Sequence, residues 1–489
     1  MNDRASEKVD SQWPSIVIAA VVCVICLFAS GCRSLNHWSQ NGWRVGPDYG
    51  GVDAAVAEQF TDSPKIDSSV VDAEWWHVFN DPDLDALIQH IVDQNLSLKA
   101  AASRISEARA QRNIAAANLF PQSQAATGRY SHAQTSRNNG TAFPGIPLTT
   151  DDWSVGFDAG WEIDLWGRIR RSIDSADASL NASIDDYNFA LVTLIGDAAL
   201  LYINVRSFDE RLNLAKKNIK NLEGSLKIAE KRFEFGRTSK LDVVQAEANL
   251  NATKALVPQL ELAQRQALNA LAVLAALPPS EVEHFFDGPG KLPEIPATAI
   301  VGIPAELLQR RPDIRAAESR LAAQFEQIGI AEAEFYPTFS ISGSLGYQAA
   351  KLSDLFEGTS FNGAIAPGFQ WKILNYGRLL NNVRVQETRV EQLCFDFQNR
   401  VLIAQQEVED GIVEFIKNNE RLEFDEANVR ANEESRRLSL ALYTEGKEDF
   451  NRVFVVQSSL VQAQDQLVAT RANIAAGLIR TYKALGGGW

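Results

Sequence analysis

From Trp153 onward, apolar and polar residues alternate without a slip. Trp153, Val155, Phe157, Ala159, Trp161 and Ile163 fall on one side; Ser154, Gly156, Asp158, Gly160, Glu162 and Asp164 fall on the other. A period of two predicts a β-strand with one apolar and one wet face. The alternation returns at Phe339, Ile341, Leu345 and Tyr347 against Ser340, Ser342, Ser344 and Gly346. It returns again at Ile365, Phe369, Trp371 and Ile373 against Ala364, Ala366, Gln370 and Lys372, and a weaker strand follows Pro121. Four strands are predicted, at about 122–133, 152–164, 338–348 and 363–373.

After Arg168 the period lengthens. Leu191, Leu194, Ala198, Leu201, Val205, Phe208, Leu212, Ala215, Ile219, Leu222, Leu226, Ala229 and Phe233 form a three-four stripe, the mark of a coiled coil. A helix from Ile169 to Phe235 would be about 100 Å long. It stops at a tip, 236–239, where Gly236 suits a left-handed cap and Ser239 suits the start of a returning helix. The return runs through Val243, Ala246, Leu250, Thr253, Val257 and Leu260, with Pro258 expected to kink it. A second hairpin turns at 446–449 and returns through Val453, Val456, Leu460, Ala463 and Leu467. Its descending helix is less regular, because Asn418, Asp425 and Asn432 break the stripe; a solvated or lumen-facing flank and a mobile gating helix both fit.

The chain is duplicated. Shifted by 216, Ala100–Pro121 overlies Ala316–Pro337 with nine of 22 positions identical, Ser103/Ser319, Arg104/Arg320, Gln111/Gln327 and Pro121/Pro337 among them. Shifted by 210, Trp161-Glu-Ile-Asp-Leu-Trp-Gly-Arg168 overlies Trp371-Lys-Ile-Leu-Asn-Tyr-Gly-Arg378. Between the copies, 278–304 carries six prolines and reads as a connector. The organisation expected is a first repeat over 81–277, this connector, and a second repeat over 305–489.

Four strands can cover a soluble core, the common use of an antiparallel sheet. Two features point instead to a bilayer: strands near the spanning length, and Trp and Tyr close to their ends, as in an interfacial girdle (Trp153, Trp161, Tyr347, Trp371). A membrane tolerates no open sheet edge, and four strands are too few to close a barrel. The strands would have to be shared between chains, most simply as twelve strands from three copies.

Charge and chemistry change this picture little. A net charge of −15 over 489 residues argues against nucleic-acid binding, which needs an excess of Lys and Arg. Five scattered histidines offer no metal-ligand spacing, and no nucleophile elbow, phosphate loop or His-paired Cys occurs, so neither catalysis nor a soluble cofactor is expected. Cys394 lies in an apolar stripe as a small core residue. Residues 1–31 read as a signal peptide: an apolar run over Ile16–Ala29 ends in Ala29-Ser30-Gly31-Cys32. Small residues before Cys32 resemble a bacterial lipobox, which would make Cys32 the acylated first residue of an extended N-terminal segment, 32–80. An ordinary secretion signal with an incidental Cys is the alternative. Arg33, rather than Asp, suggests by analogy with lipoprotein sorting an outer-membrane destination.

Several motifs occur in order along nearly the whole mature chain. They are Val45-Gly-Pro-Asp-Tyr49, Trp75-Trp-His-Val-Phe79, Asp81-Pro-Asp-Leu-Asp85, Trp161–Arg168, Arg310-Arg-Pro-Asp-Ile314, Ile328-Gly-Ile-Ala331 before Tyr336-Pro337, and Leu485-Gly-Gly-Gly-Trp489. Together they resemble the outer-membrane efflux protein family (TolC-like), in its lipoprotein branch serving resistance-nodulation-division pumps. The resemblance implies an α+β chain of mainly long helices, giving four strands to a trimeric twelve-stranded barrel above a periplasmic coiled-coil tunnel. It implies a homotrimer in outer-membrane lipid, a periplasmic adaptor, and an inner-membrane pump. Tip residues carried over by the resemblance are Arg232, Gly236, Ser239 and Asp242, with Gly446 and Asp449 in the second hairpin. The family's inner gate presents Leu, Asp and Arg; here those positions hold Asn451, Val455 and Ser458, with Arg452 one step along. Two readings of Arg452 follow: a ring from three subunits paired with Asp242, Glu448 or Asp449, or an exposed helix residue. The lumen-facing acids Asp158, Glu162 and Asp164 suggest tolerance of cations. The rival function is a periplasmic coiled-coil adaptor or structural lipoprotein, which would leave the four strands unexplained.

Overall fold

The computed structural model describes residues 43–52, 74–136, 138, 148–286, 290–293 and 311–487. The expected signal peptide, Cys32, much of the Pro-rich connector, Arg310 and the terminal Trp489 lie outside them. The described chain falls into two units. The first contains residues 118–171 and 329–379 with the N-terminal stretch up to Pro47; the second contains 48–117, 172–328 and the chain from Leu380 onward.

The first unit is built on a sheet of β1 (Ser123–Gln134), β2 (Thr149–Ile163), β3 (Thr338–Ala349) and β4 (Phe361–Gln370), antiparallel throughout and in sequence order. Register keeps the two faces apart. Phe157 lies opposite Leu345 and Val155 opposite Tyr347, while Asp158 lies opposite Ser344 and Glu162 opposite Ser340. At one point the strands meet without side chains: Gly156 faces Gly346, and a Cβ added to Gly346 would stand 2.6 Å from the Val155 carbonyl oxygen. Two facing glycines let β2 and β3 approach closely and bend together. The fourth strand ends at Gln370, before Trp371 and Ile373, which the alternation had assigned to it. β2 likewise ends at Ile163, short of Asp164.

The second unit is helical, with α1 (Pro82–Gln94), α2 (Leu96–Ala117), α3 (Arg168–Glu234), α4 (Lys240–Ala275), α5 (Pro312–Ala333), α6 (Arg378–Glu445) and α7 (Phe450–Ala484). At 67 and 68 residues, α3 and α6 are each unbroken. Asn418, Asp425 and Asn432 do not interrupt α6. Asn418 and Asn432 donate to carbonyls of residues 414 and 428, one turn back, and Asp425 accepts from Arg421 and Thr470. α4 likewise runs through Pro258 as one helix.

The main core of this unit joins Trp75, Phe79, Leu84, Leu87, Ile88 and Ile91 to Ile195, Tyr202, Leu271, Ile412 and Ile479. Trp75–Phe79 is a 3-10 turn with Trp75 stacked on Tyr482 at 5.3 Å, so this part of the segment expected to be extended is folded and buried. Helix starts are fixed by charge. Asp81 caps α1 by accepting from Asp83 N and Leu84 N, and its other oxygen accepts from the Tyr202 hydroxyl at 2.6 Å. Arg206 pairs with Asp83 and lies beside the stacked Tyr202 and Phe286 rings, 5.1 Å from each. Burial, first, and the Asp81 contact push the Tyr202 phenol up, so it remains a neutral donor. At the start of α5, buried Arg311 donates to both oxygens of Asp313 at 3.0 and 2.8 Å, to Glu407 at 2.7 Å and to the Ala484 carbonyl at 3.0 Å.

Candidate functional site: channel wall and hairpin tips

The two sheet faces differ as a membrane wall requires. On one face Phe157, Leu345, Phe361, Ile365 and Phe369 are exposed, an apolar surface that water would penalise and lipid would not. Opposite it stand Ser340, Ser342, Ser344, Gln348, Asn362, Asp158 and Glu162, small or polar throughout. The aromatic candidates form two groups. Trp153 contacts Tyr130 at 4.2 Å, and Tyr347 contacts Phe356 and Phe361, at the hairpin ends of the strands. Trp161 and Trp371 lie at the other end. Trp153 and Trp161 are eight residues apart on one strand, about 26 Å along it at 3.3 Å per residue; at the usual barrel tilt that crosses about 20 Å, most of the apolar band of an outer-membrane barrel.

Trp161 and Trp371 also expose the duplication in three dimensions. Each indole donates to a carbonyl two residues before the repeat's proline: Trp161 to Leu119 at 3.0 Å, Trp371 to Phe335 at 2.8 Å. Trp371 makes this bond just beyond the end of β4, whereas Trp161 makes it from within β2.

The acids on the wet face are unequal. Asp158 accepts from Thr127, whereas Glu162 is held by Arg168 at 2.8 Å. Asp164 is no part of the wall: it caps α3, accepting from Ile169 N and Arg170 N at 3.0 and 2.9 Å. Of the three acids expected in the lumen, only Asp158 is left without a cationic partner on the described wall.

At the tips both turns close through glycine. Gly236 (φ +63) and Gly446 (φ +78) adopt the left-handed conformation, and the next residues, Arg237 and Lys447, donate back to the carbonyls of Arg232 and Leu442 at 2.8 and 3.0 Å. Asp449 caps α7 by accepting from Arg452 N. Ser239 occupies the cap position of α4 but turns its hydroxyl to Asp242 instead.

The tips are tied to each other. Arg232 donates to the carbonyls of Tyr443 and Thr444 and lies 4.7 Å over the Tyr443 ring. The Tyr443 hydroxyl donates to Asp242 at 3.2 Å, and Asp242 also accepts from Thr238. Burial, first, raises the Tyr443 pKa, which keeps it a donor. Arg232 and Asp242 are therefore joined through Tyr443, a residue the sequence did not single out.

Of the residues expected at a gate, Asn451, Arg452 and Val455 are exposed, and Arg452 pairs with Glu448 at 3.4 Å. Of the partners considered for its side chain, Asp242 is engaged by Tyr443 and Asp449 by the helix start. Ser458 turns inward to Asn249 at 3.2 Å. It belongs to a run of polar contacts between the hairpins: Ser225–Gln457 at 2.7 Å, Asn218–Gln464 at 2.9 Å and Arg211–Asp465 at 2.6 Å. The spacing 211, 218, 225 and 457, 464 is the signal that reveals them, a polar residue every seven on two antiparallel helices.

An apolar-outside sheet girdled by aromatics, with two long hairpins tied at their tips, defines an outer-membrane channel subunit. The chain belongs to the outer membrane efflux protein family, whose model matches residues 87–277 and 303–487. It is 31% identical over 446 residues to nodulation protein T of Rhizobium leguminosarum bv. viciae, covering 91% of this chain and 90% of that one. It is also 31% identical to the pyoverdine export outer membrane protein OpmQ of Pseudomonas putida, covering 86% and 88%. Its structure matches that of the outer-membrane channel OprN with a TM-score of 0.86 at 31% identity, over 91% of this chain and 99% of the other. The chain is a transport protein of the Gram-negative outer membrane, the channel component of an efflux system. The rival reading as an adaptor or structural lipoprotein is set aside by the family and the sheet together.

Proposed function

We propose that three copies of this chain form the passive exit duct of a tripartite efflux system, anchored by lipid on Cys32 and coupled through a periplasmic adaptor to an inner-membrane resistance-nodulation-division pump. The sheet edges carry the argument for three copies. Among the described residues β1 pairs only with β2 and β4 only with β3, while one face exposes its apolar residues. Lipid cannot satisfy the free edges, but β4 of one copy runs antiparallel to β1 of the next, and three copies give twelve strands. Particle mass after detergent extraction tests this: three chain masses are expected, and a stable monomer with channel activity would sink the proposal.

The tip residues Arg232, Gly236, Ser239, Asp242, Gly446 and Asp449 are the adaptor-facing surface in this reading. Neither a soluble cofactor nor catalysis has a part in it. Arg452, exposed on the same strip as Asn451 and Val455, supplies positive charge near the constriction; Ser458, turned into the protomer, does not. Arg452→Ala is expected to shift reconstituted channels a few-fold toward cations; unchanged conductance and selectivity would make it an ordinary surface residue.

A further inference from the structure

Three motifs singled out along the sequence remain without a role in transport: Val45–Tyr49, the Trp166-Gly-Arg168 end of the strand motif, and Ile328–Ala331 before Tyr336-Pro337. In the sheet unit they meet. Trp43 stacks on Trp166 with centroids 5.9 Å apart, and Trp166 stacks on Tyr336 at 4.7 Å while its indole donates to the Pro337 carbonyl at 2.8 Å. Val45 N donates to the Trp166 carbonyl at 3.1 Å. Arg171, fully buried, donates to the carbonyls of Val45 and Gly46 at 2.6 and 2.9 Å.

The glycines among these motifs make the fit possible. A Cβ on Gly167 (φ +80) would stand 2.9 Å from Arg44 Cγ and 3.2 Å from its Cα. One on Gly46 (φ +87) would lie 2.6 Å from Gly329 Cα, and one on Gly329 would lie 2.2 Å from Arg171 Cδ. Burying a guanidinium is expensive unless its donors are satisfied, and here it satisfies them on a peripheral strap.

We propose that Trp166, Gly167, Arg171 and Gly329 form a dock for the strap Trp43–Gly46, and that the dock fixes where the lipid anchor leaves the barrel subunit. The proposal rests on the reading of Cys32 as the acylated residue. Cys32 is eleven residues before Trp43, a reach of at most about 40 Å. A docked strap therefore ties the acyl chains to within that reach of the dock, just beyond the strand ends that carry Trp161 and Trp371. Acylation then acts on the sheet as a short tether, raising the local concentration of strands at the membrane. Arg171 is a positioning residue in this scheme, with the strap carbonyls as its target.

The test is a cycle in whole cells. Gly46→Val, which lies outside sheet and helices, and Arg171→Gln are each made with Cys32 intact and with Cys32→Ser. The readout is the rate at which newly made chain becomes heat-modifiable oligomer in the outer membrane; the mass of the N-terminal peptide reports acylation, and the melting temperature of the purified protein reports folding. With Cys32 intact, both dock variants should slow conversion several-fold, down to the rate of Cys32→Ser alone. In the Cys32→Ser background they should change nothing further. Equal slowing in both backgrounds, or none in either, overturns the dock's role. A wild-type peptide lacking acyl mass overturns the Cys32 reading, and the proposal with it.

Discussion

Arg232→Ala combined with Tyr443→Phe is expected to raise single-channel conductance several-fold in reconstituted bilayers, and to make cells leaky to large antibiotics. Arg232 holds two carbonyls in the last turn of α6, of which that of Tyr443 also accepts from Gly446 N at 3.0 Å. Hydrogen bonds to a charged donor contribute about 1.5–3 kcal/mol each. The ring contact to Tyr443 adds on the order of 0.5–1 kcal/mol. The Tyr443 hydroxyl supplies the remaining link, to Asp242. Against a tie of this size, loss of both side chains should leave the two tips free to part. Either single variant should act more weakly, since each leaves one arm in place. Wild-type conductance in the double variant would show that the tips are held by something else.

Arg311→Met should damage the protein itself. Its guanidinium answers Asp313, Glu407 and the C-terminal carbonyl of α7, and both Arg311 and Asp313 are buried. Removing one partner from a buried charge network costs about 3–5 kcal/mol, because the other charge is left uncompensated. Thermal unfolding in detergent should show a drop of that order. Arg311→Lys should recover only part of it, since a single ammonium cannot match the two-oxygen fork. A Met variant as stable as the parent would mean that Asp313 is neutralised elsewhere.

How far this was legible in the sequence depends on the length scale of each signal. The strands were legible because one face is apolar from Trp153 to Ile163 and the alternation cannot slip without exposing it. Their ends were not, because Trp371 and Asp164 continue the pattern while answering to local partners, the Phe335 carbonyl and the start of α3. The polar residues that break the apolar stripe of α6 leave its helix continuous, because Asn418 and Asn432 bond to their own helix, which hydropathy does not record. The tip residues were found by resemblance, but their joint through Tyr443 depends on two segments some 200 residues apart. Ser458 shows the same limit: the resemblance placed it with Asn451 and Val455, and Asn249 on another helix turned it inward.

The two sheet edges, unpaired among the described residues, have a consequence for inheritance. If β1 and β4 can be satisfied only by other copies, a cell making intact and defective chains in equal amounts assembles them at random. By random assortment into threes, only about one barrel in eight would contain no defective copy. A variant that still pairs at its edges but cannot conduct would therefore spoil most of the intact product beside it. One that loses its edge pairing would be excluded and harmless, so the severity of a mutation in mixed populations would follow its place in the strand order.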